Sequence, residues 1–198
     1  TWGWGAKEES WLIEHFVING DPHQSQVWKD LDYFINRDYE HANGKTIKPV
    51  ITAIDSGGIH TSEVYQYARE RQALGVIAIK GQSIRNKPAI GKPTRVDINI
   101  KGKSLKKGSL LYPVGVDTVK NTLIGRLKSN AEDSNAYIHF HATTGEEYFK
   151  QITSERQQLK TNRAGFQVTM WVKKPNQRNE ALDCWVYSYA AMVLYISK

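Results

Sequence analysis

The segment from residue 175 to 196, PNQRNEALDCWVYSYAAMVLYI, constrains the fold more than any other part of the chain. At 3.6 residues per turn, small and apolar side chains point in nearly every direction around the helix axis. They are Ala181, Cys184, Trp185, Tyr187, Ser188 and Ala191. A helix with such a surface must be covered by other elements on most sides. The pattern therefore predicts a buried helix inside a layered domain, with Asn179 as its N-cap.

Two acids stand at the start of this helix. Glu180 and Asp183 are three residues apart, so they share one helix face. Acids in the first turn interact favourably with the helix dipole, at about 0.3–1 kcal/mol each, which accounts for Glu180. Asp183 already lies in the apolar run, where an unpaired charge is costly or shifts its pKa. Asp183 is therefore a candidate metal-binding or catalytic residue, and helix-start chemistry is the alternative.

Composition indicates one globular domain over residues 1–198. A chain of 22.5 kDa with 40% hydrophobic and 11% aromatic residues can bury a core and is not generally disordered. Its single cysteine excludes an intrachain disulfide and fits a reducing compartment. The longest apolar stretch is shorter than the roughly 18 residues of a membrane span. We expect a soluble protein that does not enter the membrane.

The net charge of +7 is concentrated in the middle of the chain. Between Lys80 and Lys107, Lys and Arg are frequent and Asp97 is the one acid. Such a segment often binds a polyanion, with nucleic acid as the natural candidate, and a solvated basic loop is the alternative. The Gly, Pro and Lys content of residues 87–107 predicts a long loop or a hairpin. The candidate DNA-binding residues are Arg85, Lys87, Lys92, Arg95, Lys101, Lys103, Lys106 and Lys107.

Hydrophobic periodicity predicts a mixed α/β fold. Residues 50–54 and 75–81 have the pattern of buried strands, the first of them a central one, and residues 61–74 between them are helical. This order predicts a parallel pair of strands with a right-handed crossover. Further strands are predicted at 11–20, 108–116, 136–141 and 166–174, and further helices at 24–41, 117–129 and 145–159.

Asp55 follows the first buried strand and precedes Ser56, Gly57 and Gly58. Ligands of open α/β sheets bind at the carboxyl ends of strands, although an Asp before glycines can also simply form a turn. Asp55 and Asp183 could converge on a divalent cation, because Mg²⁺ prefers oxygen ligands. Two such ions about 3.5–4 Å apart can drive phosphodiester hydrolysis.

Several segments, taken in order along the chain, resemble one family. They are WGWGAKEESWLI at 2–13, IDSGGIHTSEVY at 54–65, VIAIKG at 76–81, VGVDTVKNTLIGRL at 114–127, YIHF at 137–140 and RNEALDCWVYSYAA at 178–191. In these segments the chain resembles the C-terminal nuclease domain of the large terminase subunit of lambda-like tailed phages, the GpA family. No single segment decides the matter, but their order and spacing together are specific.

The resemblance implies an RNase H-like fold, a mixed sheet flanked by helices, with acidic residues that hold Mg²⁺ or Mn²⁺. It implies cleavage of double-stranded concatemeric DNA in the host cytoplasm, with Asp55 and Asp183 as catalytic metal ligands. Glu180 would be an outer residue or a third ligand. Lys80 and Lys120 lie in matching segments and are candidate catalytic cations near the scissile phosphate. The implied partners of the full-length protein are the small terminase subunit and the portal.

One departure from the family bears on activity. In the family, a strand with an Asp-x-Gln motif precedes the Trp-Gly-Trp-Gly segment and supplies the first catalytic aspartate. This sequence begins at Thr1, directly before the tryptophans, so that strand and the upstream ATPase domain are not in it. We therefore expect weak or no cleavage by the 198 residues alone. The alternatives are a DNA-binding or assembly module without activity and another RNase H-like nuclease, such as a resolvase.

Overall fold

The computed structural model describes residues 1–100, 102–129, 131, 135–161 and 164–198. These residues form a mixed α/β structure of small sheets and helices, as the sequence predicts. The helices are α1 (Ser25–Ile35), α2 (Thr61–Glu70), α3 (Val116–Lys128), α4 (Glu146–Ile152) and α5 (Glu180–Ile196). The strands are β1 (Trp2–Trp4), β2 (Ser10–Leu12), β3 (Tyr39–Glu40), β4 (Thr46–Ile47), β5 (Thr52–Asp55), β6 (Val76–Gln82), β7 (Thr94–Ile100), β8 (Lys103–Gly115), β9 (Ile138–His139), β10 (Glu155–Thr161) and β11 (Gln167–Lys173).

The largest sheet has four strands in the order β5-β6-β8-β7. Strands β5 and β6 are parallel, with Asp55 opposite Ile79, and α2 connects them, which confirms the predicted parallel pair joined by a helix. Strand β8 is parallel to β6, and β7 is antiparallel to β8. The expected central position of β5 is wrong, because within the described residues β6 is its only partner and β5 forms the edge of the sheet.

The two faces of this sheet belong to different hydrophobic clusters. Side chains alternate across a strand with a period of two. In β6, Ile77 and Ile79 pack into a cluster with α3 and α5, whereas Val76 and Ala78 pack into a cluster with α1 and α2. The alternation decides which polar side chains at the strand ends can reach α5.

Helix α5 is buried as predicted. Leu182, Trp185, Val186 and Ala190 are fully buried, and full burial of a large apolar side chain contributes roughly 1.5–3 kcal/mol. Trp2 stacks on Trp185 with ring centroids 5.2 Å apart, so β1 covers one side of the helix. No helix in the described ranges has the length and apolarity needed to cross a membrane.

Several predicted elements are shorter in the structure, among them the helix predicted at 24–41, which ends at Ile35. The strand predicted at 11–20 is shortened to β2, and the predicted helix 145–159 ends at Ile152. Residues 155–161 form β10 instead, because they pair along their whole length with β11, an interaction that helical periodicity cannot reveal. The basic segment forms the β7–β8 hairpin, so the hairpin alternative is confirmed.

Candidate active site

Asp55 is the last residue of β5 and lies on the sheet face that packs against α5. Its Oδ1 accepts a hydrogen bond from the backbone N–H of Gly57 at 2.9 Å, which forms the turn after the strand. Its Oδ2 accepts a hydrogen bond from the hydroxyl of Tyr187 at 3.2 Å. The carboxylate is exposed, so one edge is held by the protein while the group remains open to a ligand.

Asp183 lies in the first turn of α5 and belongs to a polar network. Asn179 donates to its Oδ2 from Nδ2 at 3.1 Å, and the Lys120 ammonium lies 3.6 Å from its Oδ1. Burial raises the pKa of Asp183 above its ordinary value; Lys120 opposes this rise, and the nearby charges of Glu155 and Asp55 add to it. The ionised form is therefore incompletely compensated, and a bound cation would stabilise it.

Lys120 and Glu155 form the buried centre of this network. The Lys120 Nζ atom lies 2.7 Å from Oε1 of Glu155, and their side chains are only 7% and 6% exposed. The same Oε1 accepts a hydrogen bond from Nδ2 of Asn179 at 3.0 Å. Lys120 therefore ties α3 to the start of β10 and, through Asn179 and Asp183, to α5.

Acidic groups outnumber basic ones here. Asp117, in the first turn of α3, has its pKa raised by burial; Lys120 opposes the rise, Glu155 adds to it and Arg85 opposes it. The carboxylates of Asp117, Glu155 and Asp183 thus interact electrostatically, and the buried ammonium of Lys120 is the main positive charge that stabilises their ionised forms. A hard divalent cation with oxygen ligands fits this surplus of negative charge.

Glu180, the predicted outer residue or third ligand, pairs with Arg178. Its Oε2 accepts a hydrogen bond from Nε of Arg178 at 3.2 Å. The pKa of Glu180 is lowered, first by its own backbone N–H and then by Arg178. Within the described ranges, no group of three His, Cys, Asp or Glu residues that includes Asp55 or Asp183 has its ligand atoms all within 4.8 Å of one another.

The sheet alternation separates Lys80 from the acidic site. Asp55 is in register with Ile79, and both belong to the α5 face. Lys80 is the next residue of β6, so its exposed side chain leaves the strand on the α2 face with Ala78. The structure brings Lys120 to the acids but not Lys80.

The predicted DNA-binding residues occupy two different places. Arg85 lines a polar cleft beside Asp117, Asn121 and Trp171. Within this cleft Oδ1 of Asn121 accepts hydrogen bonds from Nε2 of Gln157 at 2.7 Å and Nε1 of Trp171 at 2.9 Å. Arg85 therefore lies near the acidic centre.

The other basic candidates lie before or on the β7–β8 hairpin. Lys87, Lys92, Arg95 and Lys103 are exposed. On the hairpin, Asp97 faces the Lys106 ammonium at 3.4 Å and accepts a hydrogen bond from the Lys107 N–H at 2.7 Å. This bond lowers the pKa of Asp97, with Lys106 adding to the effect. Lys101 lies outside the described residues.

Sequence reasoning missed four members of the site. Glu155 was placed in a helix, Tyr187 in the core, and Asn179 was expected to cap α5; its side chain makes no cap bond and reaches Glu155 and Asp183 instead. Asp117 lies three residues before Lys120 in the same family-like segment, so the two residues share one helix face. This spacing was the one feature of the sequence that could have indicated Asp117 as a member of the site.

Comparison with known proteins settles the family. The family model described as "Terminase large subunit gpA, endonuclease domain" matches residues 1–197. The chain belongs to the gpA endonuclease-domain family. It is 33% identical over 206 residues to the terminase large subunit of Escherichia phage lambda and 32% identical over 208 residues to that of Enterobacteria phage P21. Each alignment covers 100% of this chain and 30% of the relative.

The chain thus spans less than a third of the length of these two gpA relatives. No solved structure matches it. The mixed α/β arrangement is established, and the RNase H-like architecture implied for the gpA endonuclease domain is not confirmed.

Proposed function

We propose that this chain is the metal-dependent endonuclease of a DNA-packaging terminase, cleaving double-stranded DNA with Asp55 and Asp183 as ligands of Mg²⁺ or Mn²⁺. The carrying observation is the position of Tyr187. Its hydroxyl contacts Asp55, and it follows Asp183 by four residues in α5, so both project from the same helix face. Asp183 thus lies on the face of α5 that contacts Asp55, and the charge of Asp55 adds to the rise in the pKa of Asp183 that burial causes, which supports a shared site.

The donor set fits the cation. Asp55 is exposed and Asp183 is partly exposed, so both can offer hard oxygen ligands, and the pKa of Asp183, raised first by burial, reflects an ionised form that a bound cation would stabilise. A divalent ion held there supplies Lewis-acid activation of water and charge stabilisation at the scissile phosphate. The chain's own residues orient the ligands: Tyr187 and Gly57 fix Asp55, while Asn179 fixes Asp183.

Lys120 acts in this proposal as a positioning residue. With a side chain 7% exposed and bound to Glu155, it holds the carboxylates of β10 and α5 in place. Glu180 is at most an outer ligand, because its pairing with Arg178 favours a place outside the first coordination sphere. Lys80 has no described contact that supports a catalytic role.

DNA is the proposed partner, with Arg85 beside the acidic site and the hairpin lysines further along the duplex backbone. The cleft that Arg85 lines opens next to Asp117, where a guanidinium can bind a phosphate. The two relatives are terminase large subunits, and on that basis the small subunit and the portal are proposed partners of the whole protein.

One observation favours a second candidate, a DNA-binding module without activity. Lys120 compensates Glu155 and part of the charge of Asp183, so the fold tolerates these acids without a cation. The surplus of negative charge at Asp55, Asp117 and Asp183 favours the nuclease.

A plasmid-cleavage assay with Mn²⁺, with Mg²⁺ and with chelator tests the proposal. It should use both the 198-residue chain and a protein with the length of the two relatives, because this chain spans only 30% of each of them. Asp55→Asn and Asp183→Asn should each abolish metal-dependent cleavage in the longer protein while DNA binding persists. The matched control is Glu146→Gln, whose side chain is 82% exposed in α4. If Asp183→Asn cuts like the control, the site assignment is wrong.

A further inference from the structure

A second group of metal-ligating side chains lies away from the acidic site. Asp21, His23 and His60 each offer one ligand atom, and these atoms lie within 4.8 Å of one another. Asp21 and His23 precede α1, whereas His60 stands immediately before α2. The two imidazole rings meet edge to face with centroids 4.6 Å apart.

His60 differs from an ordinary surface histidine in the surroundings of one ring nitrogen. Its Nδ1 atom is buried and has no hydrogen-bond partner within the residues that the structure describes. A buried nitrogen without a partner costs free energy, so it needs a donor or a cation. Coordination of a metal ion through Nδ1 would remove that cost.

His23 is already oriented by a second carboxylate. Its Nδ1 lies 2.9 Å from Oε1 of Glu63, a residue of the first turn of α2. Glu63 does not belong to the close group of three ligands. A carboxylate that holds one ring nitrogen of a histidine while the other stays available is the usual outer arrangement around metal-bound histidines.

We infer that Asp21, His23 and His60 form a binding site for a divalent transition metal of the zinc class. Two imidazoles and one carboxylate suit Zn²⁺ and its neighbours, whereas Mg²⁺ selects oxygen ligands. Bonds of about 2.0–2.2 Å place ligand atoms within roughly 4 Å of one another, so small side-chain rotations would complete the site.

Metal binding at this site would affect the loop between Asp55 and α2. Thr61 already anchors this loop, because its hydroxyl donates to the carbonyls of Ser56 and Gly58 at 2.9 Å. A metal bound by His60 would tie the far end of the same loop to the segment before α1. The site is thus structural, and it stabilises the turn that follows Asp55.

Isothermal titration of the chain with ZnCl₂ tests this inference, on an Asp55→Asn, Asp183→Asn background that disables the acidic site. We expect saturable binding of one ion per chain. Glu63→Gln should weaken it roughly 10- to 100-fold, as the loss of an outer partner does, and His23→Ala should weaken it further. The control is His41→Ala, an exposed histidine outside the cluster, which should leave the affinity unchanged.

His23 and Asp21 are exposed and precede α1, so their variants should fold, and circular dichroism checks this. Substitution with Co²⁺ provides a second readout, a visible d–d absorption that His23→Ala and Asp21→Asn should remove. The inference is overturned if no saturable binding occurs, or if His23→Ala and His41→Ala bind zinc equally well. Neither result depends on whether the acidic site cleaves DNA.

Discussion

The hydroxyl of Tyr187 donates a hydrogen bond to Oδ2 of Asp55 at 3.2 Å, and so joins α5 to the end of β5. Gly81 makes room for this contact. A Cβ atom at Gly81 would lie 3.0 Å from the Tyr187 hydroxyl oxygen and 2.9 Å from Cγ2 of Val116. The small residue at the end of β6 therefore permits the approach of α5 to the acidic site.

Gly81→Ala should displace Tyr187 and loosen Asp55. The expected destabilisation is about 1–3 kcal/mol, the usual cost of added volume in a packed region, with a loss of metal-dependent cleavage in the longer protein. The matched control is Gly125→Ala in α3, where a Cβ meets nothing within 4 Å and alanine should stabilise by roughly 0.5–1 kcal/mol. Urea unfolding measures both, and equal effects would contradict the role of Gly81.

Tyr187→Phe removes the same hydrogen bond without added volume. We expect cleavage to fall while the free energy of unfolding changes by only about 0.5–1.5 kcal/mol, the net value of one hydrogen bond. Measuring kcat and the Mn²⁺ concentration for half-maximal activity in the parent and in the variant shows whether the hydroxyl positions Asp55 as a metal ligand. Unchanged cleavage and unchanged Mn²⁺ dependence would exclude Tyr187 from the site.

Asp183→Asn should raise stability at neutral pH. Because the pKa of Asp183 is raised in the folded chain, its ionisation favours the unfolded state. The parent and the variant should be similar below the ordinary pKa of 3.8. The parent should then lose stability relative to the variant as the pH rises through the folded pKa. Urea unfolding from acidic to neutral pH without divalent metal gives the comparison, and a gap that widens toward low pH would contradict the sign.

Lys120→Met should be the most destabilising single change at the site. It leaves Glu155 buried without its ammonium, and breaking such a pair costs about 3–5 kcal/mol. Lys120→Met with Glu155→Leu should recover much of this loss, because an apolar replacement of both partners can be nearly neutral. A double-mutant cycle in urea measures the coupling; additive losses would show that the pair does not act as a unit.

The sequence predicted the elements that depend on local pattern. The helical surface of α5 and the β5–α2–β6 unit follow from periodicity, and both are confirmed. Asp55 and Asp183 were selected because each departs from its local surroundings, one after a buried strand and one inside an apolar helix. Their joint role remains a prediction, and the structure adds the position of Tyr187 between β5 and the start of α5.

What the sequence could not predict depends on pairing between distant residues. Glu155 enters the site because β10 pairs with β11, and a seven-residue segment carries no local sign of that partner. Lys80 was expected near the scissile phosphate because it lies in a segment that resembles the family. The register shows that a shift of one residue moves a side chain to the other face.

The basic residues should divide into two groups. Neutralising Lys92 and Lys103 should weaken duplex binding and reduce the log–log salt slope by roughly 0.9 for each phosphate that is no longer neutralised, with cleavage at saturating DNA retained. Arg85→Gln should instead lower cleavage, because Arg85 lies beside Asp117. Lys128→Gln, at the far end of α3, is the control. Binding that is unchanged over a salt series would exclude the hairpin as the DNA-binding surface.

The most direct test of the central claim is the position of Mn²⁺ in crystals of the chain, located by anomalous scattering. The account predicts a peak within bonding distance of both Asp55 and Asp183, which disappears in Asp183→Asn. A peak at Asp21, His23 and His60 alone, or no peak between the two aspartates at saturating Mn²⁺, would contradict it.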